Sequence, residues 1–156
     1  MVTSRQARTL VLTALIAAAA AALHAAASNS PTPVGAWKTV DDQKGDVRSI
    51  VKIEEKNGEL SATVQKTFPR PGEDADPKCD KCPDDFKDKP IIGLRFMWGL
   101  KGQGRDWDGG KILDPDNGKI YRVKLHLSDD GKTLEVRGYL GFSMFGRTQK
   151  WQRAEP

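Results

Sequence analysis

From residue 34 onward the chain alternates apolar and polar positions with a period of two. Tyr121, Val123, Leu125 and Leu127 fall on one face, with Arg122, Lys124 and His126 on the other. Leu134, Val136, Gly138, Leu140 and Phe142 form a second such face, opposed by Glu135, Arg137 and Tyr139. Leu60, Ala62 and Val64 alternate with Ser61, Thr63 and Gln65, and Leu94, Phe96, Trp98 and Leu100 with Arg95, Met97 and Lys101. One apolar face with this period is the mark of a half-buried antiparallel strand. Asn57-Gly58, Asn117-Gly118 and Asp130-Gly131, with Lys44-Gly45 as a weaker fourth, separate the alternating runs. Such pairs accept the positive φ that tight hairpin turns require. Together these signals predict eight strands, at 34–41, 47–56, 59–67, 92–101, 106–114, 118–128, 132–142 and 145–153. Short connections and one apolar face per strand predict an all-β fold, an eight-stranded antiparallel up-and-down barrel whose interior can hold one small ligand. A two-sheet β-sandwich is the alternative.

Residues 68–91 interrupt the pattern. Pro69, Pro71, Pro77, Pro83 and Pro90 cannot donate ladder hydrogen bonds, and seven acidic residues stand among them. The segment reads as a long, irregular, exposed loop, and such loops in compact domains are functional or disordered. Its acidic side chains, including Glu73, Asp74 and Asp76, match no calcium-loop spacing and read as a solvated surface.

The N-terminus follows a different pattern. Arg5 and Arg8 precede an Ala- and Leu-rich run from Leu10 to Leu23, and Ala25-Ala26-Ala27 follows. This is the order of a cleaved secretory signal peptide, residues 1–27, and the run is shorter than the roughly 20 residues that span a bilayer. The expected mature chain is a flexible lead-in, 28–33, and one barrel domain, 34–156, exported to the periplasm or secreted. Cleavage also changes the charge. Losing Arg5 and Arg8 takes the 25 basic residues to 23 against 21 acidic ones, so the formal +4 becomes +2. The remaining basic residues are scattered among acidic ones, which argues against a nucleic-acid partner. No second apolar run is long enough for a transmembrane segment.

Export gives the cysteines their default reading. Cys79 and Cys82 form an even, closely spaced pair, and a disulfide that fixes the shape of the loop is expected. A redox-active pair and a metal site are the alternatives. The first lacks a helix N-terminus to lower a thiol pKa; the second needs ligands beyond two Cys, and His126 sits alone on an outer face. Covalent haem would need a His where Pro83 stands. No metal and no cofactor are expected. Ser-, His- and glycine-loop signatures of hydrolases, metalloproteases and phosphate-binding enzymes are missing, so no catalytic residue is assigned.

Two resemblances add to this reading. Gly35-Ala36-Trp37 at the head of the first strand, with an arginine on the last, looks like the signature of lipocalin-like barrels. That likeness implies that Trp37 closes one end and that Arg147 or Arg153 packs across its ring. More broadly, the chain resembles a widespread bacterial family of secreted proteins of unknown function, similar to lipocalins in fold. The resemblance rests on Ile112-Leu113-Asp114-Pro115, Asn117-Gly118-Lys119-Ile120-Tyr121, Val136-Arg137-Gly138-Tyr139, Phe145-Gly146-Arg147-Thr148-Gln149 and the upstream Cys79/Cys82 pair. It implies barrel-end hydrogen bonding or a ligand contact for Arg137, Tyr139, Arg147 and Gln149.

The expected function is binding of an apolar or amphipathic small molecule inside the barrel. The candidate lining residues are Phe96, Trp98, Tyr121, Val123 and Leu125 on two strands, with Val136, Leu140 and Phe142 on a third, and Arg137 and Tyr139 as polar contacts. The alternative is an envelope interaction or assembly factor that docks through the 68–91 loop.

Overall fold

The computed structural model describes residues 31–142, 144 and 146–155. The expected signal peptide lies outside the described residues. Eight strands form: β1 (Gly35–Val40), β2 (Val47–Lys56), β3 (Glu59–Thr67), β4 (Arg95–Gln103), β5 (Asp106–Asp114), β6 (Lys119–Leu127), β7 (Thr133–Tyr139) and β8 (Gly146–Arg153). Each pairs antiparallel with the next, and β8 pairs with β1, so the sheet closes into a barrel without free edges. The sandwich alternative is excluded by the β1–β8 pairing, which needs only Trp37 opposite Arg153 and Lys38 opposite Gln152.

Two strands differ from their predicted bounds where glycines turn the chain. Gly93 adopts φ +88°, so β4 begins at Arg95. Gly141 adopts φ +66°, and β7 stops at Tyr139. Leu140 and Phe142 therefore leave the barrel wall and stand in a connection, 56% and 79% exposed.

The inner face is apolar. Val51, Ile53, Leu60, Ala62, Leu100, Val123, Leu125, Leu127, Leu134 and Trp151 are all buried. Each large apolar side chain so buried stabilises the fold by roughly 1.5–3 kcal/mol. Strict alternation fails in β4. The register with β3 shifts between Ala62 and Thr63, leaving Phe96 as an extra residue. Such a bulge resets the alternation. Phe96 and Met97 are both buried as a result, while Trp98 pairs with the exposed Lys111 on the outer face.

The barrel has two different ends. The turns at 57–58, 104–105 and 128–132 lie at one, with residues 31–34. The connections 41–46, 68–94 and 115–118, and the one after Tyr139, lie at the other. The first end is sealed. Trp37 is fully buried and its indole N–H donates to the Pro33 carbonyl at 2.7 Å. The Arg153 guanidinium lies 4.2 Å from the Trp37 ring centre and donates to the carbonyls of Gly131, Val34 and Thr32. Burial lowers the Arg153 pKa, and it remains a cation. These bonds anchor residues 32–34, so the expected flexible lead-in ends in ordered chain, with Pro33 buried. Gly35 belongs to the same seal. Its φ is +130°, and a Cβ there would stand 3.0 Å from the Arg153 guanidinium.

Candidate ligand cavity

The open end holds a cavity of about 1380 Å³ that spans the space between the mouth connections and descends into the upper half of the barrel. Trp151 and Phe96 form its floor, with ring centres 6.1 Å apart. Val51, Val64, Ile112 and Val136 supply apolar wall. Below the floor the barrel is filled by side chains.

Polar groups enter the cavity wall on one side. The Thr39 and Ser49 hydroxyls share a hydrogen bond at 2.7 Å, and Thr67 pairs with Ser49 on the next strand. Gln149, two positions above Trp151 on β8, accepts the Trp151 indole N–H through Oε1 at 3.2 Å. Indole N–H can only donate, so this contact fixes the orientation of the Gln149 amide and leaves its NH₂ unused. At the mouth, Asn117 donates to both Asp114 and the Tyr121 hydroxyl, at 2.8 and 3.1 Å.

The rim is charged and self-paired. Arg70, in the long connection, reaches back to Asp41 and Asp46 at 2.8–2.9 Å. Glu73 accepts from the Arg70 backbone N–H and from Arg48, and Arg48 also donates to the Phe68 carbonyl. The bond from Arg70, with the Lys44 and Gln43 backbone N–H groups, holds the Asp41 pKa far below the usual carboxylate range. Asp46 is lowered chiefly by the same guanidinium, and Glu73 by the Arg70 backbone N–H and then by Arg48. This acidic segment, read from sequence as a solvated surface, is thus partly bound to the barrel as a strap across the mouth.

The rest of the long connection packs on the outer wall. Cys79 and Cys82 are joined by a disulfide and both are buried. Lys78 bridges to Pro90, and Phe86, in a single 3₁₀ turn (Asp84–Phe86), stacks on Trp98 with ring centres 5.5 Å apart. Gly118, in the β5–β6 turn, lets the disulfide segment come close; a Cβ there would overlap the Lys81 carbonyl. The loop expected to be exposed is therefore docked, because apolar Trp98 and Leu113 on the outer face need cover.

The candidate residues fall into three groups. Phe96, Tyr121, Val136 and Leu140 border the cavity. Val123 and Leu125 are buried on β6, paired with Gly138 and Val136, and do not border the cavity. Trp98, Arg137 and Tyr139 belong to the outer face. Arg137 donates to Thr148 and to the Met144 carbonyl, and the Tyr139 ring lies under Arg122 with its hydroxyl 3.3 Å from Asp108. Tyr139 also reaches the cavity edge at the rim. Phe142 stands free of the cavity beside exposed Met144. Arg153, not Arg147, covers Trp37: Arg147 sits at the opposite end and pairs with Asp42 at 2.6 Å. Its inward register on β8 is the same as that of Arg153, which is why the sequence alone could not choose between them.

Sequence reading passed over Thr39, Ser49 and Thr67. Their only signal is an inward strand parity, which for Thr67 is reset by the extra residue Gln65 on β3 where the register with β2 shifts. It also left His126 alone, whereas Asp106 meets its Nδ1 at 2.7 Å across β5 and β6 on the exposed outer face. Among the described residues no cluster of three or more His, Cys, Asp or Glu could hold a metal ion.

A profile of a bacterial family described as an uncharacterized protein conserved in bacteria, DUF2147, matches residues 35–153. Among solved structures, Helicobacter pylori protein HP1028, described as belonging to the lipocalin family, superposes with a TM-score of 0.67 at 23% identity, covering 78% of this chain and 82% of that one. That likeness is one of fold. No curated protein matches the chain.

Proposed function

The chain belongs to the DUF2147 family of bacterial proteins, and from its lipocalin-like barrel we propose that it is an exported carrier that holds an apolar or amphipathic small molecule in the upper half of the barrel. The observation that carries this reading is the cavity itself. A barrel built only for stability would be filled to interior density along its whole length. This one is filled below Trp151 and open above it. The combination of an apolar floor with a few fixed polar groups is the usual composition of a small-molecule site.

Export is supported by the disulfide, which persists in oxidising compartments, and by the order of charged, apolar and small residues over 1–27. Among the described residues no helix is long and apolar enough to cross a membrane. The docking-factor alternative is weakened by the burial of both cysteines and the stacking of Phe86 on Trp98, which spend that part of the connection on covering the barrel's own outer wall.

Native mass spectrometry of the protein isolated from its own cell envelope tests both halves of the reading. The expected result is a chain beginning at Ser28 that carries an added small-molecule mass, released by organic solvent. A chain that keeps residues 1–27 overturns export. Protein isolated without any added mass, and refusing apolar probes in titration, overturns the carrier function.

A further inference from the structure

The polar groups of the cavity are neither scattered nor charged, and this restricts what the cavity can hold. Thr67, Ser49, Thr39 and Gln149 lie on β3, β2, β1 and β8, four strands adjacent around the closed sheet. They form one belt. The facing wall, on β4, β5 and β7, presents Phe96, Ile112 and Val136. Among the described residues that border the cavity, every charged side chain lies in a connection at the open end or within two residues of a strand end there. The rim cations Arg48, Arg70 and Arg147 are already engaged by Glu73, by Asp41 and Asp46, and by Asp42, and the Lys81 ammonium donates to the Asp116 carbonyl; Lys78, also at the mouth, lies in the long connection where it bridges to Pro90.

Hydrogen-bond accounting adds a polarity to the belt. Gln149 uses its oxygen on Trp151 and keeps two N–H donors. The Thr39–Ser49 pair spends one hydroxyl hydrogen between them and retains the other. Tyr121 accepts from Asn117, so its own O–H hydrogen is also available at the mouth. The hydroxyls can donate or accept, and the Gln149 NH₂ can only donate, so the belt holds donors ready for a carbonyl. An ionised head against this neutral belt would lose hydration while the nearest arginines, Arg48 and Arg147, are already paired with carboxylates, and burying an unpaired charge is more costly than burying a neutral, hydrogen-bonded group.

Resting on the carrier reading above, we propose that the ligand is an uncharged amphipathic molecule of the ester or ketone class. Its carbonyl edge accepts from the belt formed by Thr39, Ser49 and Gln149, and its hydrocarbon body lies against Phe96, Ile112 and Val136. Free fatty acids and cationic amphiphiles are disfavoured guests.

Three probes of one chain length separate the possibilities: 1-dodecanoylglycerol, dodecanoate and dodecyltrimethylammonium, titrated calorimetrically below their micellar concentrations into the signal-free protein. The expected order has the neutral ester at least about tenfold tighter than either ion, a difference of roughly 1.4 kcal/mol. The double variant Thr39→Val, Ser49→Ala removes the paired hydroxyls together and leaves no unsatisfied partner. It should weaken the ester by about tenfold and leave any residual dodecanoate affinity unchanged, with an unaltered circular dichroism spectrum. Dodecanoate binding as tightly as the ester overturns the proposal while leaving the carrier function standing. So does an ester affinity untouched in the folded double variant. If the double variant does not fold, Gln149→Glu gives the second measurement: the added carboxylate should abolish ester binding, and an unchanged affinity again overturns the proposal. Failure of all three probes to bind wild-type protein overturns the proposal together with the carrier reading beneath it.

Discussion

Arg153 does several jobs at once at the sealed end. Its guanidinium covers Trp37 and donates to three carbonyls from two segments of chain. Replacing it by Ala strips partners from those carbonyls and uncovers the indole. The expected loss is about 2 kcal/mol or more, read as a lower urea midpoint. Arg153→Lys should recover little of it, because an ammonium cannot reproduce the planar fork. Gly118→Ala acts through a different cause. Its φ of +72° strains any L side chain, and the new Cβ would occupy the place of the Lys81 carbonyl. The expected cost is about 1–3 kcal/mol, with faster proteolytic cleavage in 68–94 and little change in the far-ultraviolet spectrum. At this scale the sequence spoke clearly where a residue type has few uses. A Trp at the head of the first strand and a Gly after Asn are such residues. It spoke poorly where parity alone decides. Parity sets Tyr139 opposite Leu140 and Phe142, but only the end of β7 at Tyr139 shows that the latter two leave the wall.

The long connection is two elements with different ties. Residues around Cys79 are fixed to the outer wall by packing and a disulfide; residues 68–76 are fixed to the mouth by charge. Cys79→Ser with Cys82→Ser should remove about 2 kcal/mol, the loop-closure value for a ring of this size, while the barrel spectrum persists. The strap responds to pH instead. Asp41, Asp46 and Glu73 have folded pKa values lowered from ordinary values of 3.8 and 4.5 by Arg70 and its backbone N–H and by Arg48. A lowered carboxylate pKa contributes stability that is complete above the ordinary value and is lost as pH falls through the folded one. The strap should therefore hold unchanged from neutral pH to about pH 5 and loosen only below about pH 4. Amide exchange at Phe68 and Glu73, whose N–H groups bond to the Arg48 and Arg70 carbonyls, checks this. Accelerated exchange near pH 6 would contradict it. The strands themselves were legible because two-residue periodicity and Asn-Gly turns are local signals. The strap was not. Its ion pairs join residues more than 20 positions apart, and composition shows only that prolines and acids are abundant.

For the molecule as a whole, closure of the barrel follows from eight short strands of 6–10 residues joined in sequence, each with one apolar face. The sequence therefore carried the architecture. It did not carry the boundary between filled and open interior, since Leu127 and Val136 read alike along their strands while one is packed at the sealed end and the other borders the cavity. That boundary makes opposite predictions for the same substitution. Val136→Trp adds an indole on the wall of the cavity. It should fold with a melting temperature near that of the wild type and lose apolar-probe binding by at least about tenfold. Leu127→Trp forces the same group into the packed sealed end, where overpacking costs typically 1–3 kcal/mol, and should lower the melting temperature by several degrees. Measured together by thermal melting and calorimetric titration, the pair separates a carrier from a solid barrel. In a solid barrel both variants would be destabilised alike. In the carrier only the lower one is, and the upper one is stable but empty-handed.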